Sequence, residues 1–396
     1  MPSARIGSIA QANSRLLGFI PRWETLRARP GTVDLTFGNP QELPIPGYVE
    51  ALARQLPPID RDSYAYHRSD PDARAVVAKR LIEWRGLAFE PEDVALTPGA
   101  FGALAVALDV LVDPGDEVIF SLPPWFLYEG MILGAGAVPV KVSVQSDDYD
   151  LDLNAIANAI TPRTRAVIVN TPNNPTGRIY PASTLRALAD LLNDRSTHQE
   201  IYLISDEPYA RLVFSDASFL SPSAFYDRTL ISYSYGKVLL TPGQRLGWLA
   251  VNPSMPDREE MQSLIEAAQV AGGWLFPNGV MQRAIDDLEH LSIDLVELER
   301  KRDLVVDELS RMGYSVKKPE GTFYLWVRSP DPDDFAFCQR LADDGVIVLP
   351  GTVCEGPGHF RISLTASRQM LEDSLPPFEK AHQAVHRPNY PRRKEE

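Results

Sequence analysis

From about residue 90 to residue 250, short apolar runs rich in β-formers alternate with stretches whose apolar residues recur with a helical period. The runs are Val94 to Leu96, Glu117 to Phe120, Ala166 to Val169, Ile201 to Ile204, Leu230 to Ser232 and Trp248 to Val251. Between them, Gly102 to Leu111 and Ser183 to Leu192 carry the helical pattern. Strands that are apolar almost throughout and separated by helices predict a parallel or mostly parallel sheet covered on both faces. Such sheets bind ligands at the carboxyl ends of their strands, so chemistry is expected in the polar loops that follow each run. After residue 255 the pattern changes. A helix over Leu295 to Arg311, strand-like pieces at Thr322 to Val327, Val346 to Leu349 and Phe360 to Leu364, and a further helix predict a smaller α+β domain. Residues 31–48, with several Gly and Pro, are expected to return and pack on it, and the charged tail Arg392 to Glu396 to fray.

The N-terminus reads differently. No acidic residue precedes Glu24, whereas Arg5, Arg15 and Arg22 are basic, and Ile6, Ile9, Leu16, Leu17 and Ile20 recur at roughly helical spacing. An amphipathic arm packed on the body or on a partner subunit has this pattern, and so has a transit peptide; a secretory h-region is absent. A chain of 396 residues suits two domains. Its 53 acidic against 39 basic residues, a formal charge of −14, disfavour nucleic acid as a partner. No apolar run approaches the ~18 residues of a membrane span. The two cysteines, Cys338 and Cys354, have no His or Cys nearby in a zinc spacing. That excludes a disulfide framework, gives no metal site, and makes the cytoplasm the expected compartment.

Four loop segments carry chemistry. Thr97-Pro98-Gly99-Ala100-Phe101-Gly102 follows a strand and opens a helix, where backbone N–H groups can approach a phosphate. Asn170 to Gly177 (NTPNNPTG) is a stiff turn whose Asn can donate to a ring oxygen or simply satisfy its own loop. Ser205-Asp206-Glu207-Pro208-Tyr209 sets a carboxylate at a strand end, either a helix cap or the partner of a pyridinium nitrogen. Ser234-Tyr235-Gly236-Lys237, followed by Arg245, combines a lysine that burial can make nucleophilic with a guanidinium fork for phosphate.

Together these segments resemble the fold-type I enzymes that use pyridoxal 5′-phosphate (PLP), specifically the class I/II aminotransferase family, over about residues 31 to 380. The resemblance implies an α/β fold: a large domain with a mostly parallel seven-stranded sheet between helices, as in PLP-dependent transferases, plus a smaller α+β domain. The expected boundaries are an N-terminal arm at 1–30, a large PLP-binding domain at 49–290, and a small domain formed by 31–48 and 291–396. It also implies a role for each matching residue. Lys237 forms the Schiff base and shuttles the proton; Asp206 partners the pyridine nitrogen; Asn174 and Tyr209 hydrogen-bond the 3′-oxygen. Gly99, Ala100 and Phe101 form the phosphate loop, completed by Ser234 and Arg245. Trp125 stacks on the ring, Arg361 takes the substrate α-carboxylate, and Gly38 gives a backbone contact to substrate. Tyr64, with Tyr66 as the weaker candidate, reaches the neighbour's phosphate across a homodimer.

Three departures stand out: Phe101 where a small, polar or basic residue is usual, Ser69 where a glycine is usual, and Gly236 where a serine often precedes the lysine. The segment Gly272 to Asn278 (GGWLFPN) is aromatic where dicarboxylate-specific members carry cationic recognition; it either lines the neighbour's entrance or packs in the core. The expected activity is transfer of an amino group between an L-amino acid and a 2-oxo acid. Competing expectations are other PLP chemistry on the same scaffold (cyclisation, elimination, replacement or oxidation) and a non-catalytic PLP-sensing regulator. The regulator usually carries a DNA-binding domain ahead of this part, which the acidic composition and the short stretch before residue 31 disfavour.

Overall fold

The computed structural model describes residues 3–196 and 199–386; the charged tail Arg392 to Glu396 lies outside them. Twelve strands occur among the described residues: β1 Val33–Asp34, β2 Val94–Thr97, β3 Glu117–Leu122, β4 Val138–Ser143, β5 Thr164–Asn170, β6 Tyr202–Asp206, β7 Thr229–Ser234, β8 Gly247–Val251, β9 Tyr324–Arg328, β10 Val346–Ile347, β11 Leu349–Pro350 and β12 His359–Ser363. Seven build one sheet in the order β2-β8-β7-β6-β5-β3-β4. Strand β8 runs antiparallel to both neighbours and every other pairing is parallel. The continuous apolar runs correspond to strands inside this sheet. Strand β4, at the edge opposite β2, escapes that pattern: Lys141 and Ser143 interrupt it and several of its residues meet solvent.

Helix Gly99–Leu111 packs across β7 and β8 and is buried over most of its length. Ala103 and Ala107 are fully buried small residues of this helix, and Leu104, Leu108 and Leu111 are buried with them, each worth roughly 1.5–3 kcal/mol of burial. This seats the helix N-terminus, Gly99, beside the start of β8. A Cβ on Gly247 would lie 2.7 Å from Gly99 Cα, so only glycine allows that approach.

The remaining strands form a three-stranded antiparallel sheet, β11-β12-β9, and a parallel pair, β1 with β10. The run Val346 to Leu349 is thus two strands in different sheets: Val346 pairs with Val33, whereas Leu349 pairs with Arg361. Residues 31–48 meet this region through β1. Helix Leu295–Arg311 packs against helix Arg368–Val385.

The N-terminal segment forms two helices, Ala4–Ala12 and Ser14–Arg27. The first lies on helix Tyr128–Gly134, with Arg5 donating to the Gly134 carbonyl at 2.9 Å. The second buries Leu16, Phe19, Trp23 and Leu26 against Trp326, Leu349 and Val353. Its buried stripe follows i, i+3, i+7, i+10. Ile6 and Leu17, which share the helical spacing in sequence, stay exposed: the first helix buries none of its residues, and Leu17 lies one position off the buried stripe of the second.

Candidate active site

The site is organised by register. Asn170 ends β5 opposite Asp206 at the end of β6, and Asp206 stands opposite Ser232 on β7. Residues in register on adjacent strands project to the same face, so three polar side chains converge. Asn170 Nδ2 donates to the Asp206 carbonyl at 2.9 Å and to Oδ2 at 3.3 Å, and Ser232 Oγ donates to Oδ1 at 3.1 Å. A third donor, the Tyr128 hydroxyl, reaches Oδ2 at 2.6 Å. Asp206 is 3% exposed, and burial pushes its carboxyl up to about 6 despite these donors. Among the described residues no cation stands within ion-pair distance of it.

The turn after β5 divides work between adjacent asparagines. Asn173 Oδ1 accepts from the Thr176 backbone and hydroxyl and so closes the loop. Asn174 instead donates its backbone N–H to Asn170 Oδ1 at 2.7 Å and accepts from Arg361 Nη1 at 2.8 Å. Arg361, from β12, is 1% exposed; its Nη2 donates to the Thr36 carbonyl at 3.0 Å, and its Nε is buried without a partner. The guanidinium lies 3.9 Å from the Tyr324 ring and 5.8 Å from the Phe126 ring, the geometry of cation–π contact. Gly38 sits against the same tyrosine: a Cβ there would meet the Tyr324 hydroxyl at 2.6 Å.

Lys237 lies on the short helix that follows β7, with Nζ 5.7 Å from the Tyr209 ring centroid. Burial lowers its pKa first; Arg361 and Arg245 lower it further, against the opposing pull of Tyr324 and Asp206. Asp206, Arg245 and Arg361 are thus near enough for their charges to act on the amine. Tyr209 is buried edge-on against Phe323 and Tyr324. Gly236 has a steric reason: a Cβ would meet the Pro242 backbone at 2.9 Å. Ser234, 4% exposed, ends β7.

Arg245 is exposed, donates to the Pro242 carbonyl at 2.7 Å and rests on Gly99, where a Cβ would lie 2.7 Å from Nη2. Ala100 is buried beside it, and Phe101 sets its ring edge-on to Trp125 at 5.6 Å. Tyr64 is not with this group. It is 63% exposed, its hydroxyl donates to the Leu56 carbonyl, and its ring receives Arg283 at 5.8 Å. Tyr66 is also exposed and packs on Phe276, whereas Trp274 joins the core beside helix Gly99–Leu111. Ser69 Oγ accepts the Leu96 N–H at 2.8 Å.

Tyr128 and Tyr324 were not singled out from sequence, and Asn170 was named only as the start of its loop with no role of its own, yet each touches the site. Asn170 had a signal, being the first residue after an apolar run. Tyr324 and Tyr128 had none, since both read as ordinary aromatic positions of a strand and a helix.

A seven-stranded, mainly parallel sheet with a half-buried lysine, a buried carboxylate and a buried arginine at the ends of its strands and in the elements beyond them defines the PLP-dependent transferase class. The family model for aminotransferase class I and II matches residues 30–375, and the chain belongs to that family. It is 32% identical over 358 residues to a probable aspartate/prephenate aminotransferase of Thermus aquaticus, covering 89% of this chain and 91% of that one. It is 31% identical to an aspartate aminotransferase of Thermotoga maritima, over 87% and 89% of the two chains. Among solved structures, an amino transferase from Eubacterium rectale superposes with a TM-score of 0.88 at 29% identity, covering 97% and 98%. The protein is a transaminase, and its family uses pyridoxal phosphate.

Proposed function

We propose that Lys237 Nζ holds the aldehyde carbon of PLP and moves the proton between the substrate Cα and the cofactor. One observation carries this: an unbroken run of contacts from Asp206 through Asn170 and Asn174 to Arg361, with the depressed amine of Lys237 beside it. The residues fit the cofactor. Asp206 offers a buried carboxylate to a ring nitrogen, Arg361 keeps a free buried N–H for a carboxylate, and Gly99 leaves room for Arg245. When bound, PLP supplies an electron sink for the bond broken at Cα.

In this reading Asn174 and Tyr209 meet the ring's 3′-oxygen, and Trp125 covers its face. The Gly99, Ala100 and Phe101 amides with Ser234 and Arg245 hold the phosphate, while Arg361 and the Gly38 backbone orient the substrate. The lowered pKa of Lys237 eases release of its proton, so the amine can act as a base in the donor and acceptor half-reactions alike. The donor L-amino acid leaves as a 2-oxo acid, and a second 2-oxo acid takes up the amino group.

We also propose a large domain at 49–290, a small one from 31–48 and 291–396, and an arm at 1–30. A homodimer brings Tyr64, with Tyr66 in reserve, to the neighbour's phosphate; the exposed Ile59, Tyr64, Tyr66 and Phe276 support that face. The working compartment is the cytoplasm, in keeping with the absence, among the described residues, of a helix long and apolar enough to cross a membrane. The test is Lys237→Ala. Loss of both the visible absorbance of lysine-bound cofactor and amino transfer is expected, and persistence of either rules out this assignment.

A further inference from the structure

We propose that Tyr128 is a positioning residue, acting through Asp206 on the ring nitrogen of the bound cofactor; this rests on the role given to Asp206 above. Of the side-chain donors on that carboxylate, the Tyr128 hydroxyl is the closest, at 2.6 Å, against 3.1 Å for Ser232 and 3.3 Å for Asn170. A short O–H···O bond to an ionised carboxylate is among the stronger hydrogen bonds in proteins, and here both partners are buried, Tyr128 at 3% exposure.

The other two donors come from the sheet itself, so they hold Asp206 only to its own strands. Tyr128 comes from elsewhere, three residues after Trp125 at the start of helix Tyr128–Gly134. Its ring is fixed edge-on to Trp125 at 5.4 Å and to Phe120 at 6.0 Å. The hydroxyl therefore ties the segment bearing Trp125, which covers the cofactor face, to the carboxylate that meets the cofactor edge. It also favours the anionic carboxylate, opposing the burial that favours the acid. An anion at that point keeps the ring nitrogen protonated. Because packing fixes the ring independently of the hydroxyl, removing the oxygen alone changes the donor and leaves the shape.

The experiment compares cofactor binding to apo-protein for PLP and for its carbocyclic analogue, in which C–H replaces the ring nitrogen, in wild type and Tyr128→Phe. Wild type should prefer PLP, and Tyr128→Phe should cut that preference about tenfold, the size expected of a hydrogen bond to a charged group, while analogue affinity stays unchanged. A merely structural tyrosine would weaken both ligands equally, and that result, like a preference left intact, overturns the role of Tyr128. Wild type binding both ligands equally would overturn the assignment of Asp206 instead. A fluorinated tyrosine at position 128, a stronger donor of the same shape, supplies the converse variant: the preference for PLP should rise, and a fall would overturn the proposal.

Discussion

Two faces of the β6 terminus carry adjacent buried carboxylates with opposite surroundings. Glu207 is fully buried and saturated: Arg85 forms an ion pair with it, and Ser205 and Ser221 donate to Oε1 at 2.7 and 2.6 Å. Asp206, one residue earlier and so on the other face, is nearly as buried but receives neutral donors from Tyr128, Asn170 and Ser232. Burying an unpaired charge is expensive, and burial is the largest cause of its raised pKa, with the Glu207 charge adding to it. The comparison separates structure from chemistry without reference to motif. A carboxylate whose cation is built into the chain has nothing left to offer a ligand, whereas one held ready by neutral groups is suited to a cation that arrives from outside.

The sharpest way to break this contrast is to remove each charge in turn. Glu207→Gln leaves the Arg85 guanidinium, itself 4% exposed, buried without its anion. Loss of one partner of such a pair costs about 3–5 kcal/mol, and denaturant unfolding of the variant should show it. Turnover per folded, cofactor-loaded molecule should stay close to wild type; a large drop would mean that Glu207 also serves the chemistry.

Asp206→Asn reverses the pattern. Turnover should fall by roughly 10²–10³-fold, the scale seen when one electrostatic partner of a reacting group is lost. The apo-protein should unfold no more easily than wild type, because the substitution relieves a buried charge. A variant that keeps its turnover, or that loses stability as Glu207→Gln does, would erase the distinction between the two faces.

Much of this was legible in the sequence because parallel sheets bury both faces and leave an apolar signature, and because Asp206, Asn174 and Lys237 stand within a few residues of the ends of those runs. Edge strand β4 was not legible, since polar residues interrupt it and most of it meets solvent, and Val346 to Leu349 hid a change of sheet that periodicity cannot register. Tyr128 was hidden for another reason. Its contact with Asp206 spans 78 residues of chain, and nothing local distinguishes an aromatic that fills the core from one that also delivers a hydroxyl. Arg361 and Asn174 were each readable singly, but their mutual bond required the small sheet to be folded against the large one.

The smallest expected effect tests the electrostatics of the same carboxylate directly. In cofactor-free protein Asp206 is raised to about 6, by burial first and by the neighbouring Glu207, opposed by hydrogen bonds from Tyr128 and Ser232 and by the charge of Lys237; Asn170 also donates to it. A carboxyl whose pKa is higher folded than unfolded binds more protons in the native state between the two values. Its contribution to stability is therefore whole below the unfolded value and is lost as pH rises through the folded one. Relative to Asp206→Asn, the wild-type apo-protein should lose about 1 kcal/mol between about pH 5 and about pH 7, measured as the difference between paired denaturant titrations. The difference should level off above neutrality. If it stayed flat across the window, Asp206 would already be ionised at about pH 5, its three donors would outweigh burial, and the face opposite Glu207 would need no incoming cation to hold its charge.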